Sequence, residues 1–162
     1  MPSGWFYQNL AAGAEIRQQM LGCMDVTNRL VLPHQISEIA RRMSLNSKQC
    51  SPYKFLLAMV QPNYAKAVQN LARNQTLADQ ARLACVLERY RLAQGQYPET
   101  LDALAPRFIE RLPYDLIGGQ PLKYQRTHGG GYILYSVGWD EKDNGSILGR
   151  TREEGDWVWE IS

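Results

Sequence analysis

From about Tyr64 to Gln94 the chain carries neither proline nor glycine, and Gly95 then stands where helices commonly stop. On a wheel of about 100° per residue, Leu77, Ala81, Cys85 and Leu92 fall on one side of this segment. Leu83, Val86, Leu87 and Tyr90 fall on the other, with Asp79, Arg82 and Arg89 in the gaps. A surface helix needs one apolar stripe. Two stripes predict a helix covered on both sides, most simply by N-terminal helices and by a sheet. The rest of the fold has to be arranged around it.

The flanking segments supply both partners. Residues Trp5 to about Leu32 read as helix, broken only by Gly13 and Gly22, and Pro33 ends the pattern. Ile36 to Met43 is a short amphipathic helix, Asn46 to Pro52 a loop, and Tyr53 to Val60 an apolar run; Pro62 starts or kinks the long helix. After it, Pro98 to Leu104 ("PETLDAL") reads as a short helix, with Glu99 in its first turn. Three strands follow: Pro121 to Arg126, Tyr132 to Val137 and Trp157 to Ile161. The first two are joined by "THGGG", whose glycines supply the positive φ of a tight hairpin. The expected class is α+β: a helical region over 1–62, then a long helix and a β-meander over 63–162, together one compact unit.

Composition narrows the function. Apolar residues make up 44% and charged residues 21%, an ordinary soluble composition, and the net charge of +2 does not point to nucleic acid or a membrane surface. No apolar run approaches the roughly 18 residues that would span a bilayer, and no signal peptide is legible. None of the three cysteines forms a CxxC pair. Cys85 is expected as a small buried residue, and Cys23 and Cys50 could pair in an oxidising compartment. There is no P-loop, GxSxG, HExxH or GxGxxG, and neither His34 nor His128 has a neighbour suited to nucleophilic catalysis. The aromatics Tyr124, Tyr132, Tyr135, Trp157 and Trp159 have no basic cluster around them and read as core. The expectation is a protein that is not an enzyme.

One stretch carries candidate chemistry. "GYILYSVGWDEKDNGS", Gly131 to Ser146, runs from a strand directly into Asp140, Asp143 and Asn144, closed by Gly145, and Asp156 stands at the far end of the loop. Calcium takes six to eight hard oxygens from carboxylates, amides, carbonyls and water. The metal candidates are therefore Asp140, Asp143, Asn144 and Asp156. The spacing is not that of an EF-hand. A solvated turn accounts for the same residues, since Asp-Asn-Gly is a strong turn signal and Lys142, Arg150 and Arg152 could neutralise the carboxylates.

Three pieces, in order, carry a resemblance. They are "YRLAQGQYPETLDAL" (Tyr90 to Leu104), "LPYDLIGGQPLKY" (Leu112 to Tyr124) and "YSVGWD" (Tyr135 to Asp140), the last with Ser-x-Gly-x-Asp. Over about residues 76–162 the series resembles the globular domain of the major pseudopilin of type II secretion systems. The resemblance implies a long helix on a small antiparallel sheet, a calcium-binding loop before the last element, and subunits that stack through their helices into a periplasmic fibre. Asp140 matches the end of Ser-x-Gly-x-Asp and would be a ligand; Asp156 falls where the family places another acidic residue. The first 60 or so residues have no counterpart in the family. Between Asp115 and Pro121 there is one residue more than its usual spacing.

The expectation is a non-enzymatic structural or interaction protein of the cell envelope, with protein partners or self-association, anchored if at all by a segment upstream. A small-ligand or peptide-binding module that uses the helical N-terminal half is the alternative, and a hydrolase of envelope polymers a third.

Overall fold

A computed structural model of the protein describes residues 3–47, 62–151 and 153–162. The Tyr53–Val60 run, Cys50, Arg152 and most of the expected Asn46–Pro52 loop lie outside them. The chain divides into two compact units, Met1–Leu71 and Ala72–Ser162.

In the first unit, α1 (Ser3–Gly22) is followed by a two-stranded hairpin of β1 (Met24–Asp25) and β2 (Leu30–Val31), then by α2 (Pro33–Ser47). The single helix expected over Trp5 to Leu32 therefore stops early. Gly22 ends it, and Asp25 holds a turn by accepting hydrogen bonds from the Asn28 N–H (2.9 Å) and the Asn28 side-chain amide (2.6 Å). Arg29 completes the turn at φ 54°. Pro33 begins α2 instead of only ending what precedes it, which suits a residue with no N–H to bond.

The long helix α3 spans Pro62–Gln94. It closes where expected: Gly95 adopts φ +82° and its N–H reaches the Arg91 carbonyl at 2.7 Å. A one-turn 3₁₀ helix at Leu101–Leu104 replaces the short α-helix read from "PETLDAL". Its three-residue period places Leu101 and Leu104 on the same side, and both are buried. β3 (Lys123–Arg126), β4 (Tyr132–Ser136) and β5 (Trp157–Ile161) form one antiparallel sheet in the order β3-β4-β5, with Tyr124 opposite Leu134 and Leu134 opposite Trp159. The fold is α+β, a long helix on a small three-stranded antiparallel sheet. Among the described residues no helix is long and apolar enough to cross a membrane.

The core of the second unit joins helix to sheet. Leu83, Val86 and Leu87 of α3 pack with Tyr97, Leu101, Leu104, Leu122, Tyr132 and Leu134. Each fully buried aliphatic side chain contributes roughly 1.5–3 kcal/mol. Tyr132 is wholly buried, and Trp157 nearly so. Gly131 is needed because a Cβ there would meet the Ile161 carbonyl oxygen at 2.0 Å.

The second apolar stripe of α3 does not pack as expected. Cys85 is exposed, Leu92 is 76% exposed, and Leu77 and Ala81 are only half-buried. The buried stripe is Ala72, Thr76, Asp79, Gln80, Leu83, Val86 and Leu87, which follows one helical face and admits polar residues. Those polar residues meet the strands: the Gln80 amide nitrogen donates to the Trp157 carbonyl at 2.6 Å. A hydropathy wheel counts Thr76, Asp79 and Gln80 as outward, so it rotates the stripe away from its true position.

Candidate functional site

The loop from Val137 to Asp156 leaves β4 and returns to β5, and its backbone determines where the candidate ligands sit. Gly138 takes φ +71° and Gly155 φ +76°. A Cβ on Gly138 would strike the Gly155 carbonyl oxygen at 2.1 Å, and one on Gly149 would strike that of Glu154 at 1.6 Å. The two ends of the loop therefore close backbone to backbone, which only glycine allows. The closure brings Asp140 and Asp156 into one hydrogen-bonded cluster, linked through Asn144.

Asp156 is buried. Its two carboxylate oxygens accept the N–H groups of Asn144 (3.2 Å) and Ser146 (2.7 Å). Asp140 accepts the Gly155 N–H and the Asn144 side-chain amide at 3.2 Å each, and the Lys142 N–H at 3.2 Å. Asn144 thus links both carboxylates, and its own Oδ1 accepts nothing among the described residues. Asp143 stands apart. Its oxygens take the Gly145 N–H (3.1 Å) and the Tyr135 hydroxyl (3.2 Å), and Lys123 lies 3.6 Å away. The Gly145 N–H is the main reason its carboxyl sits below the usual range; the Tyr135 hydroxyl and Lys123 act in the same direction.

Of the four candidates, the structure gathers Asp140, Asn144 and Asp156. Among the described residues there is no group of three His, Cys, Asp or Glu side chains arranged for a metal. The gathered set is two carboxylates and the side chain of Asn144, whose amide nitrogen donates to Asp140. These are hard donors of the calcium type, and in this structure the carboxylate oxygens are engaged by N–H groups of the loop. In the sequence Lys123 carries no sign of this cluster and Tyr135 reads as core; they lie on neighbouring strands, paired with each other across the ladder, and Tyr135 is only half-buried.

A second cluster lies beneath the loop. Asp115 is buried, and its carboxylate takes the Ile117 N–H at 3.0 Å. Burial pushes its carboxyl up. The Ser136 hydroxyl and the N–H groups of Ile117 and Val137 pull it partly back, and the charge of Asp79 adds to the rise. The Ser136 hydroxyl also accepts the Gly138 N–H at 3.2 Å. The aspartate of Leu-Pro-x-Asp is thereby joined to Ser-x-Gly-x-Asp, a link that sequence order alone does not reveal.

The remaining chemistry-bearing residues are dispersed. His34 lies exposed on α2 and His128 exposed at the hairpin tip. Cys23 is buried, its thiol reaching the Gln19 carbonyl at 3.3 Å and pushed up by burial. Comparison with protein-family models, curated proteins and solved structures gives no match.

Proposed function

We propose that this chain is a non-enzymatic structural or interaction protein of the cell envelope whose Ala72–Ser162 unit works as a pseudopilin-like domain. The observation that carries the reading is the meeting of Asp115 with Ser136, which in turn accepts the Gly138 N–H; these are key residues of two separate sequence pieces. In this reading the pieces form one device, which anchors the root of the loop to the sheet.

The loop is then a calcium clip. Asp140, Asn144 and Asp156 would hold the ion, which would tie the end of β4 to the start of β5. Asp143 serves a different end, fastening the loop to Tyr135 and Lys123 on the outer face of the sheet. Calcium that binds only the folded state stabilises it by RT ln(1 + [L]/Kd), about 2.7 kcal/mol at a hundredfold excess over Kd. Millimolar calcium should raise the melting temperature by several degrees, and chelator should reverse the gain. Asp140→Ala should abolish the response while the protein stays folded. An unchanged melting temperature, with no heat of calcium binding by titration calorimetry, would leave the loop as a hydrogen-bonded turn. Envelope location is tested by fractionating cells that express the full-length reading frame.

A further inference from the structure

A groove of about 610 Å³ opens in the Ala72–Ser162 unit between the 3₁₀ turn, the Glu110–Tyr114 segment and the start of β3. Leu101 and Leu122 are buried beneath it, and Tyr114 stands at its lip, 58% exposed. Tyr114 bridges Pro121, but Pro113 has no N–H with which to continue the ladder. The chain therefore parts from β3 and leaves its outer edge beside the groove. The Thr127 N–H donates to the Gly131 carbonyl at 3.0 Å, which sets the alternation of the hairpin. By that alternation Tyr124 and Arg126 turn their backbone N–H and C=O groups outward. Around the rim, Glu99 is taken by Arg126 and Lys123 by Asp143. Asp102, Glu110 and Arg111 are exposed and make no ion pair among the described residues, so two free carboxylates face one free guanidinium and the rim is acidic on balance.

The same unit presents a segment with the complementary chemistry. Ile147 is 66% exposed and Leu148 70% exposed, and Arg150, two residues on, is exposed as well. Their backbone is already held: the Ile147 carbonyl accepts the Asp156 N–H at 3.0 Å, and Leu148 bridges Gly155. The two side chains thus project from a fixed hairpin and lose little freedom on docking. No residue of this loop lines the groove.

We propose that Ile147 and Leu148 of one copy seat in the groove beneath Tyr114 of a second copy, with Arg150 meeting Asp102 and Glu110. The proposal deepens the interaction-domain reading above by naming a partner and a surface. Groove and loop are different patches, so the contact is heterologous and repeats head to tail. It is small, hence weak and reversible, below the ~1,200 Å² of stable interfaces.

The test is analytical ultracentrifugation of the full chain over a concentration series, with calcium and with chelator. The weight-average mass of the wild type should rise with concentration. Ile147→Asp combined with Leu148→Asp should weaken association at least about tenfold, with unchanged circular dichroism and melting temperature. Arg150→Glu alone, and Asp102→Arg with Glu110→Arg alone, should each associate less than wild type, and mixing the two variants should restore association. A wild type that stays monomeric at every concentration overturns the proposal. So does a loop variant that associates like wild type, which would move the contact to another surface such as exposed Phe6 and Tyr7 of α1. Failure of the mixture to recover overturns it too. A calcium response that survives in a chain that does not associate separates failure of this contact from failure of the clip.

Discussion

Replacing Asp156 by alanine tests whether a carboxylate holds the long loop together. Its side chain is 1% exposed and accepts one backbone N–H on each oxygen, from Asn144 at 3.2 Å and Ser146 at 2.7 Å. Hydrogen bonds to a charged group are each worth roughly 1.5–3 kcal/mol. Both donors belong to half-buried residues, so water recovers part of the loss, and a net cost of about 2–4 kcal/mol follows. For a unit the size of Ala72–Ser162, each kcal/mol moves the midpoint by about 4–8 °C, so the fall should be roughly 8 °C or more. The assay is thermal unfolding by circular dichroism in chelator, which removes any metal contribution, with amide exchange at Asn144 and Ser146 followed in parallel. Asp143→Ala is the control: its ion pair with Lys123 is nearly half exposed on each side, so solvent screens it and the midpoint should move far less. A variant lacking the Asp156 carboxylate that melts within about 2 °C of wild type would refute the reasoning. So would an equal fall for the control.

Leu87→Ala should cost about 2–5 kcal/mol by urea denaturation, since Leu87 is wholly buried between helix and sheet. Leu92→Lys, on the exposed side of α3, should stay within about 0.5 kcal/mol in the same measurement. Gly131→Val should prevent the hairpin from meeting β5, seen as loss of the native near-ultraviolet signal, because its Cβ would overlap the Ile161 carbonyl. Asp115 governs a pH dependence. Its folded carboxyl lies above the ordinary 3.8, so the native state holds the proton more tightly than the unfolded chain. Its contribution is full below about pH 3.8 and declines as pH rises through the folded value. Asp115→Asn should flatten the stability profile over that window, checked by denaturation across pH.

The strands of the Ala72–Ser162 unit are legible in the sequence because alternation and glycine-rich turns are local signals: β3, β4 and β5 fall within the expected segments, whereas β1 and β2 fall where a helix is expected. The end of α3 was legible for the same reason, since Gly95 is a local stop. The β1–β2 hairpin within the expected first helix rests on a local turn, Asp25 with Asn28, whereas the rest of what failed depended on partners distant in the chain. Gln80 is buried because β4 and β5 lie over it, and Cys85 is exposed because the sheet is on the other side of the helix. Of the loop candidates, Asp140, Asn144 and Asp156 converge because two glycines bring the loop ends together. Asp143 instead answers to Tyr135 and Lys123, which sequence distance hides.

The glycine closure at the root of the loop separates two design problems. Gly138 against Gly155 fixes where the strands begin and end, whatever lies between. Past the second closure, where Gly149 meets Glu154, the described residues Arg150, Thr151 and Glu153 are exposed. A foreign peptide inserted between Arg150 and Thr151 would therefore extend into solvent without disturbing strand register. The domain is in this sense a display scaffold, with a rigid socket and a replaceable tip.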